Sequence, residues 1–264
     1  MSNLDRWKQF TQARIGLGRF GVSISTKDML RIRMDHAKAK DAVVQEPSWD
    51  PIFDQLKLFS KLYGIQHQFV KSQVTSKQEY LLRPDLGRRL SEESKIILDS
   101  SEKGYDLGIV CVDGLSAKAI DENLLLFLEG FLSKIETLHL KLAPLVVAQW
   151  GRVAIGDEIS EILQSKICLV IIGERPGLSS ADSLGLYLTY EPKVGKTDEA
   201  RNCISNVRPL GFPLPLACDK AIYLIQESIS QKRSGVLLKD QMPKPKQSID
   251  MKEDLSKLKS FREE

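Results

Sequence analysis

The sequence has no run approaching the ~20 consecutive apolar residues that cross a bilayer. Its first ten residues, MSNLDRWKQF, lack the apolar stretch of a secretion signal. Both observations point to a cytosolic chain. Paired cysteines are missing too: Cys111, Cys168, Cys203 and Cys218 stand far apart with no CxxC, which argues against a zinc site or a disulfide framework and for reduced thiols. Histidine is scarce. His36, His67 and His139 are scattered, whereas metal ligands come in clusters, so no metal site is expected. Nor is there a large excess of one charge. With 38 Lys and Arg against 35 Asp and Glu, the net charge of +3 is too even for a surface that tracks nucleic-acid phosphates.

What is present is enough apolar material for a core: 42% of 264 residues are hydrophobic. From Asp5 to about Ser101 the pattern is mostly helical, with Leu30, Met34, Ala37 and Val44 at three- and four-residue spacings or their sum. The character then changes. DLGIVCVDG, PLVVAQWG, KICLVIIGE and LGLYLTY are short β-rich apolar runs closed by Gly or polar residues. Helical stretches follow the first two, SAKAIDENLLLFLEGFLSKIETL and DEISEILQS. Such alternation predicts a largely parallel sheet covered by helices, with ligands at the carboxyl ends of the strands. Asp113, Gly151 to Val153 and Gly173 to Arg175 occupy those ends.

Several motifs carry less than their letters suggest. GLGRFG, Gly16 to Gly21, matches GxGxxG but follows a polar helical stretch rather than a buried strand, so a glycine-permitted turn between helices is expected. YEPKVGKT ends like a phosphate-binding loop, yet Tyr190 stands where the first glycine is required, and an exposed turn is expected. DGLSAK has Lys118 in place of the second glycine of a nucleophile elbow. Ser116 is better read as a helix N-cap, with a hydrolase using Ser116 and His139 as an alternative. In YLLRPDLGRRLSEES, Pro84 suits the first turn of a helix. Arg83, Arg88 and Arg89 around it form either a solvated basic face or an anion or partner contact.

Taken together, ARIGLGRFG, DHAKAKDAV, YLLRPDLGRRL, DGLSAKAI, WGRVAIGDEI, IIGERPGLSSADSLGLYLTY and RNCISNVRP resemble the small subunit of ethanolamine ammonia-lyase, an adenosylcobalamin-dependent enzyme. The resemblance runs co-linearly from about Arg14 to Lys239, and GERPGLSS with RNCISN is its most specific part. It implies an α/β chain: a helical N-terminal region followed by a Rossmann-like, mostly parallel sheet domain. It further implies a larger barrel subunit as partner, with cobalamin held between the two and the substrate pocket in the large subunit. The implied reaction converts ethanolamine to acetaldehyde and ammonia by radical chemistry, with no catalytic residue required of this chain.

Residue by residue, the cofactor contacts implied by the resemblance fall on Val153, Glu174 and Cys203. A carboxylate accepts hydrogen bonds, and the cofactor's amides and hydroxyls supply donors. Arg175 is expected to orient or neutralise Glu174. The chain lacks the DxHxxG of His-on cobalamin modules, so the resemblance implies the base-on form, cobalt remaining within the corrin.

The expected organisation is a helical region over 1–101, a cobalamin-binding domain over 102–235, and a polar linker with an amphipathic C-terminal helix over 236–264. In that tail Met251, Leu255, Leu258 and Phe261 share one helical stripe beyond a proline-rich linker, the physical form of a peptide that docks on a partner or a bacterial microcompartment shell. No N-terminal targeting segment is expected. A second class of reading remains open: a free-standing α/β binding protein for a nucleotide-like ligand.

Overall fold

A computed structural model of the chain describes residues 14–243 together with Trp7. The apolar tail stripe from Met251 to Phe261 lies outside the described residues.

GLGRFG forms a tight hairpin rather than a turn between helices: β1 (Arg19–Phe20) pairs antiparallel with β2 (Ser23–Ile24). Gly21 supplies the positive φ of +63° that the reversal needs. Helix α1 (Thr26–Val44) follows, capped by Ser25, whose hydroxyl accepts the Asp28 N–H. The apolar stripe Leu30, Met34, Ala37 and Val44 faces outward, because α1 meets the body through the small side chains Ala39 and Ala42. Helix α2 (Trp49–Tyr63) ends on Gly64 in the left-handed conformation and buries Ile52, Leu56 and Phe59.

The body is a six-stranded sheet in the order β3-β5-β4-β6-β7-β8. Its strands are β3 (His67–Lys71), β4 (Tyr105–Val112), β5 (Leu145–Gln149), β6 (Ser165–Gly173), β7 (Leu184–Tyr190) and β8 (Arg201–Val207). The first four pair in parallel, as the alternating pattern predicts, and β7 and β8 extend the sheet as an antiparallel meander. This order is not the 3-2-1-4-5-6 of dinucleotide-binding folds.

The region expected to be helical contributes the edge strand β3, which pairs with β5 across the position where the sheet domain was placed to begin. Polar HQFVK has no apolar run to announce a strand. RNCISNV, the opposite edge, conceals β8 in the same way, since an edge strand with solvent on one side tolerates polar residues.

Between strands run α3 (Lys77–Leu82), α4 (Glu92–Asp99), the single turn α5 (Ala117–Ala119), α6 (Leu125–Ile135) and α7 (Ile155–Leu163); α8 (Leu214–Gln231) follows the sheet. Pro84 comes after α3 and two residues before a one-turn 3-10 segment, Leu86–Arg88, rather than in the first turn of a helix. Alternate residues of each central strand face opposite layers. Leu107, Ile109 and Cys111 of β4 pack with Phe127 and Phe131 of α6 and Ala217 of α8. Val110 and Val112 pack with Leu98 of α4 and Ile155 and Ile159 of α7. The helices leaving the adjacent strands β4 and β5 thus go to opposite faces, and a crevice opens at the carboxyl ends of those strands.

Candidate functional site

A cleft of about 950 Å³ occupies this crevice, with Leu115 after β4, Arg152 and Val153 after β5, and Glu174 and Arg175 after β6 on its wall. The turn that leads into it is fixed by Asp113, buried immediately after β4. One carboxylate oxygen accepts the N–H groups of Gly114 (2.9 Å) and Gly151 (3.2 Å), and the other accepts that of Trp150 (2.8 Å). Burial pushes this carboxyl up to about 6, against the opposing pull of those three N–H groups and the charge of Lys77. Trp150 is held at a left-handed φ of 55°. From that turn the chain emerges with Arg152 stacked over the Tyr80 ring at 4.1 Å, while the Tyr80 hydroxyl donates to Gly151 O at 2.9 Å.

Glu174 is oriented by β7 and β8. One carboxylate oxygen, Oε2, accepts from the Ser183 hydroxyl (2.7 Å) and the Asn206 N–H (3.1 Å). The other, Oε1, accepts no hydrogen bond among the described residues and remains available to a ligand. It lies over Gly185, where even a methyl carbon would come within 2.9 Å of it. Arg175 does not bond to Glu174, so Ser183 and Asn206 perform the orienting task that the sequence assigned to the arginine. The Arg175 side chain is exposed on the cleft wall.

Cys203 is exposed on β8, opposite Tyr187 in the β7–β8 register. It lies beside the cleft rather than on its wall, and Tyr187 is the intermediary that lines the cavity. The Tyr187 phenol is pushed far above its ordinary range, first by burial and then by Cys203 alongside. Val153 and Glu174 therefore share one cavity, and Cys203 adjoins it through one tyrosine.

Two parts of the cleft come from segments to which the sequence assigned no binding role. The YEPKVGKT turn is largely exposed, as expected, yet Val194 to Asp198 form the cleft's far wall. Below it, Arg201 and Asp157 make a two-pronged ion pair at 2.8 and 2.6 Å with both side chains buried. The lone Arg and Asp are 44 residues apart in the chain, and only the fold brings them together. Arg88 and Arg89 reach the cleft from the 3-10 turn and the residue after it, whereas Arg83 pairs locally with Asp85.

Ser116 is fully buried; its hydroxyl accepts the Ala119 N–H and donates to Ala181 O, which makes it the N-cap and leaves it no histidine partner. His139 lines a separate cleft at the opposite, amino ends of the strands. Among the described residues no three His, Cys, Asp or Glu side chains converge as a metal site, and no helix is long and apolar enough to cross a membrane.

The family described as ethanolamine ammonia-lyase light chain (EutC) matches residues 1–239. The chain belongs to that family. Curated relatives span nearly its whole length. The ethanolamine ammonia-lyase small subunit of Xanthomonas campestris pv. campestris is 45% identical over 244 residues, covering 91% of this chain and 88% of the relative. The small subunits of Pseudomonas fluorescens SBW25 and Pseudomonas putida KT2440 are each 44% identical over 240 residues, covering 89% of this chain and 84% and 86% of theirs.

Proposed function

We propose that this small subunit holds adenosylcobalamin in the cleft at the carboxyl ends of β4, β5 and β6, against the large subunit, for conversion of ethanolamine to acetaldehyde and ammonia. The observation that carries the reading is the free Oε1 of Glu174, kept open on the cleft wall while Oε2 is tied down. A fixed carboxylate oxygen without a donor suits the amide-rich rim or nucleotide tail of a corrinoid. Val153 offers apolar surface and backbone groups across the same cavity, and Cys203 extends the contact beyond Tyr187. When bound, adenosylcobalamin would supply radical initiation through its cobalt–carbon bond, and Val153, Glu174 and Cys203 would hold it.

The residues of this chain bind and orient the cofactor and help to exclude water from it; the substrate pocket belongs to the large subunit. On this reading residues 102–235 carry the cofactor contacts Val153, Glu174 and Cys203, while the 1–101 region adds the edge strand β3 and Arg88 and Arg89 at the cleft. The 236–264 tail is the segment that would direct the assembled enzyme to a microcompartment shell.

The test mixes the chain with the purified large subunit and adenosylcobalamin and measures acetaldehyde release, omitting each component in turn. Activity requiring all three, with Glu174→Ala needing more cofactor for half-maximal rate, is the expected result. A well-folded, stable complex that releases no acetaldehyde from ethanolamine overturns the assigned reaction. Deleting residues 241–264 tests the tail: unchanged recruitment to the compartment removes its proposed role.

A further inference from the structure

The chain as a whole is nearly neutral, with a net charge of +3 on 264 residues, yet the cleft is not. Arg88, Arg89, Arg152, Arg175, Lys196 and Arg201 line it, against only Glu174 and Asp198. Some of this charge is balanced from behind. Arg201 is paired with Asp157, and Arg89 lies 3.7 Å from Glu158. Arg152 donates to Tyr80 O and Lys196 to Tyr190 O, which are neutral carbonyls that leave the positive charge uncancelled. The side chains of Arg88 and Arg175 have no hydrogen-bond or ion-pair partner among the described residues.

Two further features point to an anion. Arg201 is 6% exposed, and its Nε, 3.5 Å from Asp198 Oδ1, makes no hydrogen bond; the buried Nε of Arg152 is also without one. Leaving a buried charged donor unpaired is costly, which is a reason to expect a missing acceptor. Helix α7, nine residues long, opens on the same cavity; the N–H groups of Ile155, Gly156 and Asp157 are bonded to the carbonyls of Arg152, Val153 and Ala154, so the helix contributes its dipole rather than free donors. Its two acidic first-turn residues are committed elsewhere, Asp157 to Arg201 and Glu158 to the Leu90 N–H. The positive end of the helix dipole therefore adds to the arginine field.

We propose that the arginine side of the cleft is an oxyanion subsite for a phosphate-class group, with Arg88 and Arg175 as its free arms and the α7 N-terminus as its base. Guanidinium forks match a tetrahedral oxyanion with two free oxygens, and several forks around one cavity favour phosphate chemistry over a neutral amide. The subsite deepens the cobalamin reading and rests on it for its natural ligand: the phosphodiester is the anionic group of the cofactor's nucleotide tail. Free inorganic phosphate is the second source of the same chemistry.

The experiment titrates cobalamin and cobinamide, the same corrin without the phosphodiester-linked nucleotide, into the complex of this chain with the large subunit. Wild type is compared with Arg88→Gln/Arg175→Gln, and phosphorus-31 line broadening of inorganic phosphate is followed in parallel. The expected result is a loss of about tenfold or more in cobalamin affinity in the variant, with cobinamide affinity unchanged. Inorganic phosphate should weaken cobalamin binding to wild type and have less effect on the variant. Line broadening lost in the variant while cobalamin affinity stays unchanged would assign the subsite to free phosphate. A variant that binds cobalamin and phosphate as wild type does overturns the subsite. A wild-type complex that binds no corrinoid overturns the cobalamin reading instead, and phosphate broadening that depends on the two arginines would still sustain the subsite.

Discussion

The carboxylate of Asp113 accepts the N–H of Trp150 at 2.8 Å and so holds a tryptophan in a left-handed backbone conformation two residues before Arg152 enters the cleft. Few L residues adopt that conformation without a reason of this kind. The contact joins the ends of two neighbouring parallel strands, and Arg152 and Val153 take their places from it.

The Asp113 carboxyl is held at about 6 against an ordinary 3.8, so between those values the folded protein retains a proton that the unfolded chain has released. Stability contributed by this group therefore falls as pH rises through that window, by on the order of 3 kcal/mol. Asp113→Asn keeps the shape and removes the titration, although its amide group must face one of the backbone N–H donors. Lys77 is the charged side chain that acts on this carboxyl, and Tyr80, whose phenol burial raises above its ordinary range, lies within its field. Urea denaturation across about pH 4 to 7 should show the stability of Asp113→Asn relative to wild type increasing with pH. A difference that stays flat would mean that the carboxyl does not titrate in that window.

Gly185 is the second point on which the cleft depends. A Cβ there would lie 2.9 Å from Oε1 of Glu174 and 3.0 Å from both its Cγ and Tyr187 Cε2. Gly185→Ala should cost about 1–3 kcal/mol by overpacking and should displace the carboxylate. Its cofactor requirement in the assembled enzyme should rise as it does for Glu174→Ala, with the two changes together little worse than either alone. Additive losses would show that Gly185 does not act through Glu174.

The sequence discloses the interior of this fold better than its edges. The central strands β4, β5 and β6 are buried on both faces, so their apolar runs are unbroken and visible. β3 and β8 are edge strands with polar positions, and only their partners define them. The same division holds at the site. Val153 and Glu174 follow strand ends that the pattern locates, and resemblance picks them out there. Arg201, Asp157 and the Val194 to Asp198 wall come from distant segments whose meeting is a property of the tertiary fold. The exposed stripe of α1 shows the converse limit, since helical spacing gives a common face but not what that face meets.

The Arg201–Asp157 pair lies under the wall with side chains 1% and 2% exposed. Removing one partner leaves a buried charge, so Asp157→Asn or Arg201→Met alone should cost about 3–5 kcal/mol. Replacing both with apolar residues of similar volume, as in Arg201→Met/Asp157→Leu, should recover much of that loss. A double variant as unstable as the sum of the singles in thermal or urea unfolding would show that Arg201's other bonds, to Thr189 and Lys196 O, carry the stability instead.

The four cysteines report on the cleft independently of catalysis. Cys111, Cys168 and Cys218 are buried, and burial raises their thiols, those of Cys168 and Cys218 to about 12 and about 11. Cys203 alone is exposed, with a thiol also raised above its ordinary value. Reactivity follows the thiolate and its access. A maleimide should therefore label the native chain once, at Cys203, faster as pH rises toward 9, and should label all four sites after unfolding. In the complex with the large subunit, adding cobalamin should slow labelling of Cys203 if the cofactor covers the Tyr187 side of the cleft. Slowing by the large subunit alone, with no further effect of cobalamin, would assign Cys203 to the subunit contact and remove it from the cofactor site. Mass spectrometry of the labelled peptides separates these outcomes without requiring the enzyme to turn over.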